Sequence, residues 1–115
     1  MTLRRTLPFL FWAALVFAFV MAVLPQPPRL PGDPSDKIQH IVAFAVLAAL
    51  AAAAYPRTAL LRILAGLSAF GALIELVQTI PALHRDGDYV DWIADTLAAG
   101  AVLALAALVR RRRSV

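Results

Sequence analysis

Four long apolar runs constrain the fold of this chain more than any other feature of its sequence. They occupy residues 7–24, 38–55, 59–80 and 92–109, with lengths of 18, 18, 22 and 18 residues. At about 1.5 Å per residue, 18 helical residues reach roughly 27 Å, close to a bilayer hydrocarbon core of about 30 Å. Because backbone groups in lipid must pair within their own segment, and the runs show no alternating strand pattern, each is predicted to be a membrane-spanning helix.

The composition agrees with lipid as the main solvent. The 115 residues are 62% hydrophobic and only 16% charged, whereas soluble domains average about 45–50% apolar and about 25% charged residues. The chain is therefore predicted to form one all-α domain over residues 1–115, an integral membrane four-helix bundle. The absence of cysteine excludes disulfides and thiolate metal sites.

The basic residues indicate an orientation rather than a nucleic-acid partner, because they cluster at the ends of apolar runs and form no continuous stripe. Three of the eleven, Arg29, Lys37 and Arg85, fall on one side of the predicted membrane. The other eight share the opposite side: Arg4, Arg5, Arg57, Arg62 and Arg110 to Arg113. The positive-inside rule then predicts a multi-pass membrane protein with both termini in the cytoplasm.

The first run admits a second interpretation. Arg4 and Arg5 followed by an apolar stretch also fit a secretory signal peptide that is cleaved from the mature protein. The length of the run and the lack of a small-x-small cleavage site before the prolines favour a retained first helix.

Small residues in the later runs predict close helix packing, because they let helix backbones approach each other. They are Ala48, Ala49 and Ala51 to Ala54 in the second run, Gly66 and Gly71 in the third, and Ala98, Ala99, Gly100, Ala104, Ala106 and Ala107 in the fourth. The first run is bulkier and is expected to line the outside of the bundle.

The acidic residues lie on the side opposite the eight clustered bases. They are Asp33, Asp36, Glu75, Asp86, Asp88, Asp91 and Asp95. Counted along the helical rise, His40, Glu75 and Asp95 lie within roughly 5–8 Å of the same membrane boundary. Three helices therefore place ionisable groups in one thin layer, which we interpret as a candidate site. Its further members are Asp36 and Lys37 beside His40, Gln78 one turn after Glu75, Arg85 in the following loop, and Asp91 one turn before Asp95.

Most of these residues also have a purely structural interpretation. Asp36 suits a helix N-terminus after an N-cap at Ser35, and Asp91 suits the start of the next helix. Lys37 suits an interfacial lysine that extends toward water, and a single histidine near an interface is usually a hydrogen-bonded packing residue. Asp86 and Asp88 suit solvated loop charges.

Glu75 is harder to explain structurally. It lies about a turn and a half inside an apolar helix, where an unpaired carboxylate costs several kcal/mol. Its available partners in the sequence are Lys37, His40 and Arg85, and Asp95 faces a similar but milder situation. Intramembrane ionisable groups are functional candidates by default, and the alternative is a polar clasp that only fixes helix register.

Three sequence blocks in this order resemble the VanZ-like family of small bacterial membrane proteins. They are Asp36-Lys37-x-x-His40-x-x-x-Phe44, then Glu75-x-x-Gln78 with Arg85, then Asp91-x-x-x-Asp95-Thr96-Leu97. The resemblance covers residues 36 to about 105. Two positions depart from the family pattern: Asp95 stands where the family usually has asparagine, and Ala98 where a glycine commonly follows. The resemblance implies a polytopic cell-envelope protein of the bacterial inner membrane. The family's namesake is linked to low-level resistance to the glycopeptide teicoplanin.

Two functional hypotheses follow, and the sequence leaves open whether the protein is an enzyme. In the first, the site binds or acts on an envelope lipid or lipid-linked intermediate. Glu75, His40, Asp91 and Asp95 are then the candidate catalytic groups, and Asp36, Lys37, Gln78 and Arg85 the candidate ligand contacts. A divalent metal ion held by the acids and His40 is a further option. The second hypothesis is a non-catalytic interaction module in which Arg85, Asp86 and Asp88 matter more than Glu75.

Overall fold

A computed structural model of the chain describes residues 3–25, 35–83 and 87–113. Within these ranges the protein is all-α, which confirms the predicted four-helix bundle. The helices are α1 (Leu3–Val23), α2 (Asp36–Ala54), α3 (Leu60–Gln78) and α4 (Tyr89–Arg113), with a short 3-10 helix at Pro81–Leu83.

The outside of the bundle is apolar. All four helices are long and apolar enough to cross a membrane, and each exposes large hydrophobic side chains, among them Phe17, Val42, Leu61 and Leu97. Such a surface is unfavourable in water and suits contact with lipid chains. The chain is therefore a multi-pass membrane protein.

Two helices, α1 and α4, extend beyond their predicted apolar runs at the arginine-rich end. α1 starts four residues before its run, and α4 continues through Arg113, four residues after its run. Hydropathy marks the length that lies in lipid, whereas a helix continues into the interface wherever its side chains reach water. The basic last turn of α4 also suits the partial negative charge of a helix C-terminus.

Helix α2 is central to the packing: it packs most extensively against α4, and α1 lies against α2 and α3. Ala48, Ala51 and Ala99 are buried where helices approach, as the small residues predict. Gly71 is also needed for packing, because a Cβ there would lie 3.2 Å from Trp92 Cδ1. Gly66 differs from the prediction, because it is exposed and nothing lies within 4 Å of an added Cβ.

Helix α1 is largely exposed, as its bulk predicts, with one buried aromatic contact. Phe9 and Phe17 are exposed, but Phe11 is buried and its ring meets Trp12 and Tyr55 edge-on. Trp12 Nε1 also donates a hydrogen bond to the Tyr55 hydroxyl at 2.8 Å. This contact joins the start of α1 to the end of α2.

The bundle has two chemically different ends. The arginine end comprises the start of α1, the turn at residues 55–59 and the end of α4; the acidic end comprises the end of α1, the start of α2, the end of α3 and the start of α4. At the arginine end a tight turn joins α2 to α3, with the Thr58 N–H donating to the Tyr55 carbonyl at 3.0 Å. The Arg110 guanidinium closes this end by donating to the carbonyls of Thr58, Ala52 and Tyr55 at 2.8, 3.1 and 3.2 Å.

Candidate functional site

The predicted polar layer forms a compact cluster at the acidic end. One ligand atom from each of His40, Glu75 and Asp95 lies within 4.8 Å of the other two. Three different helices supply these side chains. Ser35 is the N-cap of α2, as predicted, because its hydroxyl accepts a hydrogen bond from the Ile38 N–H at 3.3 Å. This cap fixes the start of α2 and so the height of His40, which lies one turn further on.

Asp95 is the most deeply buried member of the cluster, with 1% of its surface exposed. Neither of its carboxylate oxygens has a hydrogen-bond partner among the residues that the structure describes. The nearest group of opposite character is His40, whose Nδ1 lies 3.5 Å from Oδ2 of Asp95 and has no hydrogen-bond partner either. Burying a carboxylate without full pairing is costly, so this arrangement requires a physical explanation.

Glu75 is also buried, and its one partner differs from those that the sequence suggests. Oε2 of Glu75 accepts a hydrogen bond from the backbone N–H of Asp88 at 2.6 Å, while Oε1 has no partner. Neither Lys37 nor His40 makes a hydrogen bond or ion pair to Glu75 in the described part of the chain, and Arg85 lies outside the described residues. The exposed side chain of Asp88 agrees with its interpretation as a solvated loop charge, while its backbone N–H reaches into the cluster.

Gly87 allows the loop before α4 to approach Glu75. A Cβ at Gly87 would lie 2.9 Å from the Glu75 carbonyl oxygen and 2.8 Å from Thr79 Cγ2. Any larger residue would push the loop away from the end of α3 and move the Asp88 N–H with it. The side chain of Asp88 stays at the surface and accepts a hydrogen bond from the Val90 N–H at 2.9 Å.

Lys37 and Asp91 form the rim of the cluster. Nζ of Lys37 lies 3.6 Å from Oδ1 of Asp91, and half of the lysine side chain is exposed. The interfacial interpretation of Lys37 thus agrees with its exposure, and Asp91 lies in the first turn of α4 as expected. Asp36 opens α2 as predicted, but its side chain lies outside what the structure describes.

Gln78 is buried beside the cluster and is partly committed to packing. Its Nε2 donates a hydrogen bond to the Ala22 carbonyl at 2.8 Å, which ties α3 to α1. Its Oε1 has no hydrogen-bond partner. Gln78 was predicted to contact a ligand. Its Nε2 is bonded to the backbone, and its Oε1 is available for such a contact.

A second polar group, which the sequence reasoning missed, lies deeper in the bundle. Trp92 Nε1 donates to the carbonyl of Ser68 at 2.9 Å, and the hydroxyls of Ser68 and Thr96 are 3.0 Å apart. Trp92 thus turns inward between α3 and α4. The available signal was the helical spacing of Trp92 and Thr96, which puts both on one face of α4.

The cluster has the composition of a ligand or ion site. It combines two carboxylates with one imidazole, and a half-exposed ammonium lies at its rim. Across the described residues, the buried side-chain atoms without a hydrogen-bond partner belong to His40, Glu75, Gln78, Asp91 and Asp95. All five lie at the acidic end, so the unused hydrogen-bonding capacity of the bundle is concentrated at one place.

Comparison with known proteins adds no relative. No protein-family model, curated protein or solved structure matches the chain. Membership of the VanZ-like family therefore stays a prediction from the three motif blocks.

Proposed function

We propose that this chain is a VanZ-like protein of the bacterial cell membrane, and that its polar cluster binds or acts on the head group of an envelope lipid or lipid-linked intermediate. The observation that carries the proposal is the set of buried, unpartnered polar atoms on His40, Glu75 and Asp95. A site that exists only for packing gains nothing from leaving such atoms unpaired, whereas a ligand site needs free donors and acceptors.

The proposed orientation places the cluster on the extracytoplasmic side. The arginine end carries the N-terminal pair Arg4 and Arg5, the turn residue Arg57 and the basic end of α4. Under the positive-inside rule this end lies in the cytoplasm, because translocating clustered bases is unfavourable. The acidic end then faces the outer leaflet of the inner membrane, where lipid-linked envelope precursors are exposed.

The charges at the rim favour a ligand with an anionic group. Lys37 is half exposed and its ammonium lies 3.6 Å from Oδ1 of Asp91, so the same ammonium can also contact a phosphate or carboxylate at the rim. Helix α2 begins one residue before Lys37, and the partial positive charge of a helix N-terminus adds to the attraction for an anion. The VanZ-like resemblance links this site, as a proposal, to teicoplanin tolerance.

The second candidate, a non-catalytic clasp that fixes helix packing, is favoured by different contacts. The His40–Asp95 and Lys37–Asp91 pairs both join α2 to α4, and the Gln78 bond to the Ala22 carbonyl joins α3 to α1. These contacts join two helix pairs, α2 with α4 and α1 with α3, and so involve all four helices. The clasp explains the pairs but leaves Oε1 of Glu75 and Oδ1 of Asp95 without a role.

The variant Glu75→Gln tests the proposed site. It removes the charge of a buried side chain while keeping its size and an acceptor for the Asp88 N–H. Wild type and variant are expressed in a susceptible bacterium, and membrane abundance and teicoplanin tolerance are measured together. We expect normal abundance with loss of the tolerance that the wild-type protein confers.

The matched control is Asp88→Asn, which removes a nearby exposed charge but keeps the backbone N–H and an acceptor for Val90. Tolerance should persist in this variant. If instead Asp88→Asn loses tolerance while Glu75→Gln keeps it, the working surface is the loop and the module hypothesis is favoured. If the abundance of Glu75→Gln collapses together with tolerance, the cluster is a packing clasp.

A further inference from the structure

The cluster of His40, Glu75 and Asp95 contains one nitrogen and two oxygen ligands on three separate helices. Glu75 and Asp95 are more than nine-tenths buried, each has an unpartnered oxygen atom among the described residues, and a carboxylate oxygen of each lies within 4.8 Å of the other and of a nitrogen of His40. A pair of carboxylates in one low-dielectric layer is strongly disfavoured unless a positive charge is shared between them. Lys37 supplies no such charge to this pair, because its ammonium contacts Asp91 at the rim.

The distances match ligand spacing better than hydrogen bonding. Zinc–nitrogen and zinc–oxygen bonds are about 2.0–2.2 Å long, so two ligand atoms at a tetrahedral angle lie about 3.4 Å apart. Nδ1 of His40 and Oδ2 of Asp95 are separated by 3.5 Å. The remaining atoms lie within 4.8 Å, which a rotamer adjustment of Glu75 can close.

Glu75 is held in the manner of a metal-ligating carboxylate. Its Oε2 is occupied by the Asp88 N–H at 2.6 Å, and this leaves Oε1 as the free ligand atom. Hydrogen bonds to the outer oxygen of a ligating carboxylate orient it and are a regular feature of metal sites. Gly87 makes this contact possible by allowing the loop close to the Glu75 carbonyl.

We infer that His40, Glu75 and Asp95 bind one divalent transition-metal ion of the zinc class. An imidazole with two carboxylates suits Zn²⁺ and its first-row neighbours, whereas Mg²⁺ and Ca²⁺ prefer sites made of oxygen alone. The ion neutralises two carboxylates at once and gives a partner to Nδ1 of His40 and to one unpaired oxygen atom each of Glu75 and Asp95. Three protein ligands leave a fourth position open, as in catalytic zinc sites.

This inference deepens the proposed function and rests on it for the identity of the fourth ligand. A phosphate or carboxylate of a lipid head group can occupy the open position while Lys37 contacts the same group from the rim. The metal site itself rests only on the geometry of the three side chains, so the two ideas can fail separately.

The test is zinc binding by the full chain, purified in detergent without a polyhistidine tag and freed of metal with a chelator. Zn²⁺ is titrated in competition with a chromophoric chelator, and the bound metal is counted by mass spectrometry. We expect one Zn²⁺ per chain. His40→Gln and Glu75→Gln should each weaken binding by more than the roughly 10- to 100-fold that loss of an outer-shell contact costs. Excess Mg²⁺ should not displace the ion.

Asp88→Asn is the control, because it removes an acid at the same end but no proposed ligand, and circular dichroism verifies that each variant is helical. Failure of the wild type to bind zinc, or equal binding by wild type and all variants, overturns the metal site. Loss of tolerance in Glu75→Gln without any zinc binding overturns the metal site and leaves the proposed function standing. If the wild type binds zinc, and Glu75→Gln loses the zinc but keeps its tolerance, the metal site stands and the proposed function is overturned.

Discussion

The two ends of the bundle use polar residues for different purposes. At the arginine end, Arg110 saturates three backbone carbonyls of α2 and the following turn, and Trp12 bonds to Tyr55. At the acidic end, Asp95 and Glu75 are buried with oxygen atoms that bond to nothing in the described chain. Both ends carry charge, but among the described residues only the acidic end has buried side-chain polar atoms without a hydrogen-bond partner.

This difference separates charges that determine topology and stability from charges that are available for chemistry. A basic residue at the interface keeps its charge in water and donates to carbonyls that the helix end cannot satisfy. A carboxylate inside the bundle has neither option, and its desolvation must be offset by a proton, an ion or a ligand. The acidic end is therefore the place to search for function, and substitutions there should affect activity more than folding.

The largest expected contrast between the ends is in accessibility. The chain has no native cysteine, so single cysteines can be introduced at exposed positions, with Tyr89→Cys for the acidic end and Arg112→Cys for the arginine end. In intact cells, a membrane-impermeant maleimide should label Tyr89→Cys fully and Arg112→Cys only after permeabilisation, because the positive-inside rule keeps the arginine end in the cytoplasm.

Labelling of Arg112→Cys in intact cells would reverse the proposed orientation of the two ends. The polar cluster would then face the cytoplasm, and lipid-linked precursors at the outer leaflet would no longer be candidate ligands. The metal site would be unaffected by that result, since it depends on local geometry alone.

The fold follows from the sequence because its signals are redundant. Every span carries a continuous apolar run, and a membrane helix pairs its own backbone whatever its neighbours do. The helix ends are predicted less accurately from the sequence. Hydropathy does not indicate the helical turns that continue past the apolar run into the interface, as at residues 3–5 and 110–113. Ser35 is the exception, because its N-cap chemistry is local.

The site could be predicted as a layer but not as a set of contacts. Helical rise alone puts His40, Glu75 and Asp95 at one depth, and the structure brings them within 4.8 Å. The pairing inside the layer depends on helix rotation and loop path, which leave no signal in a single sequence. For this reason the bond from the Asp88 backbone to Glu75 and the inward turn of Trp92 were not anticipated.

The prediction that Gly66 lies in a close helix contact is wrong, and the reason is the rotation of α3 about its own axis. Spacing rules treat Gly66 and Gly71 alike, yet only Gly71 is in close contact, against Trp92 and Phe44. Which side of a helix meets its neighbours is set by packing across the bundle. In a helix that is apolar on all sides, the hydrophobic pattern does not indicate that side.

The next prediction concerns stability at the arginine end. Arg110→Ala removes three hydrogen bonds to the carbonyls of Ala52, Tyr55 and Thr58. Bonds from charged donors contribute about 1.5–3 kcal/mol each, and water at the interface replaces part of that, so we expect a loss of about 2–4 kcal/mol in the free energy of unfolding. Arg112→Ala is the matched control, because its exposed side chain should change stability by no more than about 0.5 kcal/mol.

Denaturation in detergent micelles, followed by circular dichroism, measures both variants. Teicoplanin tolerance should fall in Arg110→Ala only as far as membrane abundance falls. A loss of tolerance at normal abundance would mean that the arginine end takes part in function, and the comparison between the ends would no longer hold.

The smallest expected effect is the most informative about the acidic end. Asp95→Asn keeps the shape of a fully buried side chain and replaces a carboxylate that has no hydrogen bond with a neutral amide. Burying the amide costs less than burying the charge, so the metal-free protein should gain about 1 kcal/mol of stability, by the same micelle assay. A clasp built on the His40–Asp95 pair requires the opposite sign, because breaking a buried pair costs about 3–5 kcal/mol.

With zinc added, the gain in stability of Asp95→Asn should disappear, since the wild type is then stabilised by an ion that the variant binds poorly. A variant that is less stable than the wild type with and without zinc would show that Asp95 serves packing rather than a ligand.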